Sequence, residues 1–507
     1  MIVHKFGGTS VGNSERFAKV AEIIIHQQAL ALDTNRQSER SPDRISTLRG
    51  TVIVVSAMSG VTDLLIAGGR AAAEGKDSVY REIKARLLQK HLQVVEALLN
   101  HSPERLETGG FIEDQLHELE RLYRSIAILG ELTVRGCDVV ASVGEQLSSS
   151  ILAAVLREKG LRAQAISATE LIVTDNHFGS AGPLFEETRD RLQMQVKPLV
   201  QREIVPVITG FIGATREGAT TTLGRGGSDY TAAIVGACLD AEEVCIWSDV
   251  DGILTADPNI VQCARPLSEL SYAEAAELAY FGADVLHPKT IRPLAERGIP
   301  LRILNSFSPD HLGTLILKSP DQDREKLPAI ISTKGLSMIA IGSQDDLWTL
   351  HMAATALQCL SDGGVDVLLF SQSFSEHSLN LIVREENQAY CLLLLANKFG
   401  DGRVLLNSGQ TARNPHPAGS SFSHHENGLS LGIKEKVATI SVVGSPGWNK
   451  TGIVSHALAV LGEHGTRVLA VAQAGTEYSV SFCIPEDQMV STVCYLHRKL
   501  GLEPDCG

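Results

Sequence analysis

Residues 51–62 read T-V-I-V-V-S-A-M-S-G-V-T, and this stretch decides the fold class. Its first half is a continuous Val/Ile run. That suits a strand covered by helices on both faces, not one with a wet side. Its second half turns at Ser59-Gly60 and runs into a helical pattern over 62–74. The same passage recurs along the chain. Short apolar strand signals at 2–6, 51–57, 163–167, 205–209, 243–247 and 301–305 alternate with helical patterns at 14–30, 62–74, 79–100, 112–135, 145–159, 184–201, 229–239 and 271–281. Alternation on this scale predicts an α/β fold with a mostly parallel sheet sandwiched by helices. Residues 33–50 are polar and turn-rich and read as an exposed insertion. The block 76–140 reads as a helical lid or side bundle.

The chain has 507 residues, enough for about three domains. It is 44% hydrophobic and 21% charged, so it can bury real cores. A formal net charge of −14 argues against a nucleic-acid partner and against an anionic membrane surface. No apolar run reaches the roughly 18 residues of a membrane span. Nine scattered cysteines without metal-ligand spacing, and an N-terminus that opens directly into a strand, point to reduced thiols and a cytoplasmic location; no metal-ligating residues are assigned.

A charged stretch near residue 320 closes the first region, and an internal repeat follows. Gln372, Glu376 and Ser378 recur as Gln473, Glu477 and Ser479 at one constant offset. Each copy reads strand-helix-strand-strand-helix, giving two ferredoxin-like βαββα modules. The domains are then 1–315, a first module at 325–400, a flexible connection at 401–435 and a second module at 436–507.

Five segments in the first region carry chemistry. K-F-G-G-T-S (5–10) follows a strand, so Gly7 and Gly8 let backbone amides approach a polyphosphate while Lys5 adds charge; a plain tight turn is the bland alternative. In S-A-M-S-G-V-T (56–62), Ser56 and Thr62 lie at a strand end where α/β proteins bind ligands, though Thr also caps helices. S-V-G-E (142–145) places Glu145 at a glycine turn opening a helix, to grip an ammonium group or merely to complement the dipole. L-G-R-G-G-S-D-Y-T (223–231) sets Arg225 on a glycine loop before a helix capped by Ser228 or Asp229, a receptor for a carboxylate. Asp229 there would repel anions unless it orients a cation such as Lys5. I-W-S-D-V-D-G-I-L-T-A-D-P (246–258) offers Ser248 and Asp249 to a nucleotide or its magnesium, with turn formation as the alternative. A sixth signature, F-G-A-D-V-L-H-P (281–288), closes a helix that begins with a Ser271–Glu274 capping box.

In this order the six segments resemble the signatures of the amino-acid kinase family, and within it the aspartate kinases; the repeated modules are similar to paired ACT regulatory domains. The resemblance implies transfer of the ATP γ-phosphoryl group to the side-chain carboxylate of L-aspartate, with Mg²⁺ bridging the phosphates. It implies Lys5 on the transferring phosphate, with Asp229 organising it, and Gly7, Gly8, Ser248 and Asp249 on the nucleotide. Thr62, Glu145, Arg225 and Ser228 would hold aspartate. It further implies a homodimer through the ACT modules and a lysine or threonine effector.

Three positions depart from the family pattern. Asp284 stands where relatives carry lysine, Leu254 where tyrosine is common and Asn259 where arginine often follows, so nucleotide choice stays open. The second module has a glycine-rich effector loop at 444–453, whereas the corresponding 350–358 of the first lacks glycine. Rival readings are another kinase of the fold, such as glutamate 5-kinase or acetylglutamate kinase, and a catalytically silent amino-acid sensor. No G-x-G-x-x-G fingerprint follows the second module, so a fused homoserine dehydrogenase is not expected.

Overall fold

The computed structural model describes residues 1–39, 50–100, 103–281, 286–321, 327–343, 350–373, 378–399, 429–444, 452–473 and 478–503. These form two compact units. The first opens with β1 (Ile2–Phe6), α1 (Ser14–Glu39), β2 (Thr51–Val55) and α2 (Val61–Ala73). Next come three long helices, α3 (Asp77–Leu98), α4 (Pro103–Leu129) and α5 (Val134–Glu158). β3 (Ala163–Ile166), α6 (Ala168–Leu171), α7 (Phe185–Gln195), α8 (Lys197–Gln201) and β4 (Val205–Thr209) follow. A hairpin of β5 (Ile212–Ala214) and β6 (Thr220–Thr222) leads to α9 (Gly227–Cys238) and β7 (Glu243–Ser248). The last elements are β8 (Glu269–Ser271), α10 (Tyr272–Tyr280), α11 (Pro288–Arg297), β9 (Leu301–Asn305) and β10 (Thr314–Leu317).

Eight strands make one sheet in the order β3-β4-β2-β1-β7-β9-β10-β8, parallel except for the β9–β10 pair. β2 and β4 are buried along their whole length, as their unbroken apolar sequences require. β1 pairs with β2 on one side and β7 on the other, so successive connections leave it in opposite directions. Ligands of open parallel sheets bind at the carboxyl end of such a switch point.

Every strand read from the sequence lies within two residues of an observed one, whereas β5, β6, β8 and β10 are too short to show a pattern. Residues 33–39 continue α1 instead of opening an insertion, and 40–49 lie outside the described residues. α3 and α4 form a side bundle against α2 and α5; Tyr123 donates its hydroxyl to the Leu65 carbonyl at 2.7 Å. α5 starts eleven residues before the predicted 145, so Glu145 lies mid-helix and opens nothing. By length and composition α5 could cross a membrane, yet 83% of its most apolar window is buried in the unit.

The second unit holds β11 (Ala329–Ser343), α12 (Leu350–Asp362), β12 (Leu369–Ser373), β13 (Ser378–Arg384), α13 (Gln388–Phe399), β14 (Leu429–Val443), α14 (Ile453–His464), β15 (Ala470–Gln473), β16 (Ser479–Pro485) and α15 (Met489–Lys499). The repeat is therefore real, but its copies are not separate modules. All six strands form one antiparallel sheet, β12-β13-β11-β14-β16-β15. β11 and β14 pair from Ala329↔Val443 to Ser343↔Leu429, with an irregularity near Gly335. The second half of β11 pairs with β13, and the second half of β14 with β16, so each long strand serves both copies.

Three boundaries change accordingly. Residues 429–435 of the expected connection belong to β14, and 400–428 lie outside the described residues. Residues 350–358 are the start of α12, not an effector loop; 344–349 and most of 444–453 lie outside the described residues. Finally, 254–265 and 277–281 of the expected first domain belong to the second unit, where Ala256 and Val261 join the core of α14 and α15.

Trp247 is the largest fully buried side chain and lies stacked on Phe6 with ring centres 5.7 Å apart. Its indole N–H donates to His4 Nδ1 at 3.2 Å, and burial lowers the His4 pKa to about 4, so the ring stays neutral and accepts. Trp247→Ala opens a cavity and strips His4 of its donor. It is expected to cost about 3–5 kcal/mol, read as a lowered thermal transition of the first unit while the second keeps its own.

Candidate active site

Five segments deliver side chains to one cleft of about 630 Å³ in the first unit. β1 supplies Lys5 at its carboxyl end, and the loop after β2 supplies Ser56 through Gly60. α2 adds Thr62, α5 adds Asp138 and Glu145, and the turn into α9 adds Arg225, Ser228 and Asp229. Lys5 and Arg225, separated by more than two hundred residues in sequence, therefore line the same wall-to-wall space.

Lys5 Nζ pairs with Asp229 Oδ1 at 2.6 Å, both side chains largely shielded. The acid read as out of place beside a carboxylate receptor thus has its cation. The helix it stands on is capped by Gly226 in the left-handed region (φ 69°), not by Ser228 or Asp229. Both side chains are consequently released into the cleft. Gly8 packs against the loop after β2: a Cβ there would stand 2.9 Å from the Ala57 carbonyl oxygen, and Ser59 N–H donates to Gly8 O at 3.2 Å. A bare backbone beside a buried ammonium, at the carboxyl end of a parallel strand, fits the polyphosphate of a nucleotide.

Glu145 is 3% exposed. Its Oε1 accepts from Ala57 N–H at 3.2 Å, while Oε2 has no hydrogen-bond partner among the described residues. Burial pushes its pKa up to about 8. Gly144 before it is required for contact rather than for a turn, since a Cβ would fall 2.7 Å from Ala57 Cβ. On the Arg225 side, His287 is held below its usual pKa, first by burial and then by the charges of Lys289 and Arg225. The cleft thus sets a buried, protonated carboxyl at one wall and a guanidinium at the other.

Of the predicted site residues, Lys5, Gly8, Thr62, Glu145, Arg225, Ser228 and Asp229 come together. Gly7 stands behind Lys5, with a Cβ position 3.4 Å from Nζ and its N–H directed at Trp247 O. Ser248 and Asp249 do not line the cleft; they sit at the end of β7, bonded to each other at 3.2 Å, with Ser306 N–H on the Ser248 carbonyl. Asn259 bonds Asp257 in the second unit, and Asp284 lies outside the described residues. Sequence reading missed Asp138 and Phe211. Phe211 adopts φ 68° and donates its N–H to Thr231 Oγ1 at 3.0 Å, a backbone state that no residue pattern announces.

A sequence profile of the amino acid kinase family matches residues 1–305, and an ACT domain profile matches 440–500. Chloroplastic aspartokinase 1 of Arabidopsis thaliana is 32% identical over 98% of this chain and 79% of its own length. The chain belongs to the aspartokinases of the amino acid kinase family. Bifunctional aspartokinase/homoserine dehydrogenase 2 of the same plant is also 32% identical, but this chain spans only 50% of its length. Among solved structures, E. coli aspartokinase III in complex with aspartate and ADP is 26% identical, with a TM-score of 0.75 over 99% of this chain and 100% of that one. The same enzyme in complex with lysine and aspartate gives 25% identity and a TM-score of 0.74, covering 99% of each.

The raised Glu145 pKa has a defined sign. The folded protein holds this proton between the ordinary value of 4.5 and about 8, so the group's contribution to stability is complete at the acid end and is lost as pH rises toward 8. Glu145→Gln keeps the neutral shape at every pH. Its melting temperature relative to the unsubstituted protein is expected to climb steadily between about pH 5 and about pH 8, measured by thermal denaturation in matched buffers.

Proposed function

We propose that this chain transfers the γ-phosphoryl group of ATP to the side-chain carboxylate of L-aspartate, giving 4-phospho-L-aspartate and ADP. The observation that carries this reading is the Lys5–Asp229 pair and Arg225 lining one cleft with the buried, half-satisfied Glu145. The relative solved with aspartate and ADP supports it from a second side. Glu145 is placed to accept the substrate ammonium, whose charge would draw the proton off its carboxyl. Arg225 grips the α-carboxylate bidentately, with Ser228 and Thr62 donating hydroxyl hydrogen bonds. The free side-chain carboxylate then faces Lys5.

One carboxylate oxygen attacks the γ-phosphorus in line as the bond to the ADP oxygen breaks; no proton has to move. Lys5 compensates the charge gathering on the phosphoryl oxygens, and Asp229 fixes its ammonium. The protein's contribution is alignment and charge compensation without a covalent intermediate. Gly8 presents its amide to the phosphates while Gly7, whose N–H is taken by the Trp247 carbonyl, keeps the space beside the Lys5 ammonium clear, and Ser248 and Asp249, at the neighbouring strand end, are offered to the nucleotide. Mg²⁺ belongs with the nucleotide's phosphates, where it neutralises their charge; among the described residues no group of three His, Cys, Asp or Glu forms a metal cage.

In an ADP-release assay with aspartate and MgATP, Lys5→Ala and Arg225→Ala are each expected to lower kcat/KM at least about a hundredfold, the scale of losing one pre-organised charge at a transition state. Full activity in either variant overturns the reading.

The second unit supports a regulatory role: it contains the segment matched by the ACT profile, and a relative has been solved with lysine bound. Lysine or threonine is the proposed effector class. Exposed apolar side chains on its first two helices, Leu350, Tyr390 and Leu393, support a homodimer through this unit. Titration of each amino acid into the assay should show inhibition by one of them, and light scattering should give twice the chain mass. Indifference to both, with a monomeric mass, contradicts this part.

A further inference from the structure

Asp138 has no role in the chemistry above, yet it is 2% exposed and lines the same cleft. It stands on α5 seven residues before Glu145, hence two turns away on one helix face. Both of its oxygens are committed. Oδ2 accepts from Gly179 N–H at 2.9 Å and from Thr222 N–H at 3.2 Å, and Oδ1 accepts from Thr222 Oγ1 at 2.7 Å. A carboxylate that accepts from three donors on the cleft wall is tied first to that wall, and this is the duty assigned to it.

Its two anchor points meet at the turn that carries Arg225. Thr222 ends β6 two residues before Gly224. Ala181 N–H donates to the Thr222 carbonyl at 2.8 Å, tying the 179–181 loop to the same strand. Gly224 lies against that loop so closely that a Cβ on it would stand 3.0 Å from Ser180 Oγ and 3.3 Å from the Gly179 carbonyl oxygen. Gly179 and Gly224 both adopt left-handed backbone, φ 84° and 79°, which these approaches require. The Arg225 turn therefore rests on a loop, and both loop and strand hang from one carboxylate on α5.

We propose that Asp138 is a positioning residue that sets the separation between Arg225 and Glu145. One rigid helix carries Glu145 directly and, through Asp138, the wall bearing Arg225. The distance between the ammonium-binding and carboxylate-binding groups is then a property of α5 and not of two separate loops. This inference rests on the aspartate-binding roles proposed for Glu145 and Arg225. Charge-assisted hydrogen bonds to buried N–H groups are strong enough for this duty, and their loss leaves two amides and a hydroxyl without acceptors.

The test is steady-state kinetics on full-length Asp138→Ala, Asp138→Asn and Thr222→Val, with the unsubstituted protein and Arg225→Ala in parallel. Asparagine can keep its carbonyl on the two amides and turn its NH₂ toward Thr222 Oγ1, which then accepts; alanine keeps nothing. Asp138→Ala is expected to raise the KM for aspartate about tenfold or more while the KM for ATP changes less than twofold. Asp138→Asn should restore most of the loss, and Thr222→Val should give a smaller rise in the same parameter. A purely structural role would move both KM values, or lower the active fraction with neither KM changed. An aspartate KM within twofold of the unsubstituted value in all three variants, or equal rises for both substrates, overturns the inference. If Asp138→Ala does not fold, Thr222→Val and Asp138→Asn decide it on the same criteria. Absence of aspartate-dependent ADP release from the unsubstituted protein would instead reject the underlying functional reading.

Discussion

An ammonium group cannot stay in a largely buried strand end without a counter-charge, and the Lys5–Asp229 pair is how this chain resolves that requirement. The cost of desolvating both groups is offset only at close range, so the carboxyl end of β1 and the first turn of α9 are held together. Every other feature of the cleft is arranged around this pair. The glycine backbone of the β1 loop leaves one side of the ammonium open to phosphate. The left-handed cap at Gly226 keeps the side chains of Ser228 and Asp229 from being consumed by helix capping.

The opposite wall is organised by a single helix. α5 is buried deeply enough to be rigid, and it passes within contact distance of the loop after β2 because Gly144 has no side chain. That close approach brings Ala57 N–H to Glu145 and excludes water from the carboxyl, which is the cause of its raised pKa. In the function proposed above, an arriving ammonium would charge this neutral acid and couple recognition to proton release. Asp138 extends the same helix's control to the arginine side.

The second unit is built on a different principle. Its two copies share strands: β11 and β14 each run fifteen residues and pair along their whole length, so neither copy can shift its sheet without moving the other. Two segments of the kinase sequence, 254–265 and 277–281, are part of this unit's packing. In the second copy, Ser479 Oγ donates to Glu277 Oε2 at 2.6 Å, whereas the equivalent Ser378 Oγ is buried with no hydrogen-bond partner among the described residues. The copies are thus similar in sequence and unequal in environment, with the inequality written into chain from outside the repeat.

The residue order alone determined the α/β class, because continuous Val/Ile runs that alternate with helical patterns suit strands covered by helices on both faces. It also determined most of the cleft's membership: Lys5, Glu145, Arg225 and Asp229 are charged residues close to glycine in the sequence, three of them at strand or helix ends and Glu145 in the middle of α5. It determined the repeat, since Gln372 and Ser378 return as Gln473 and Ser479. Tertiary structure alone decided where α5 begins, because Gly144 reads as a turn until Ala57 is seen against it. It alone decided the part played by Asp138 and Phe211, whose partners lie 20 to 84 residues away, and the merging of two modules into one sheet. Pairing between distant strands is set by burial over the whole surface, and no local window of sequence contains that information.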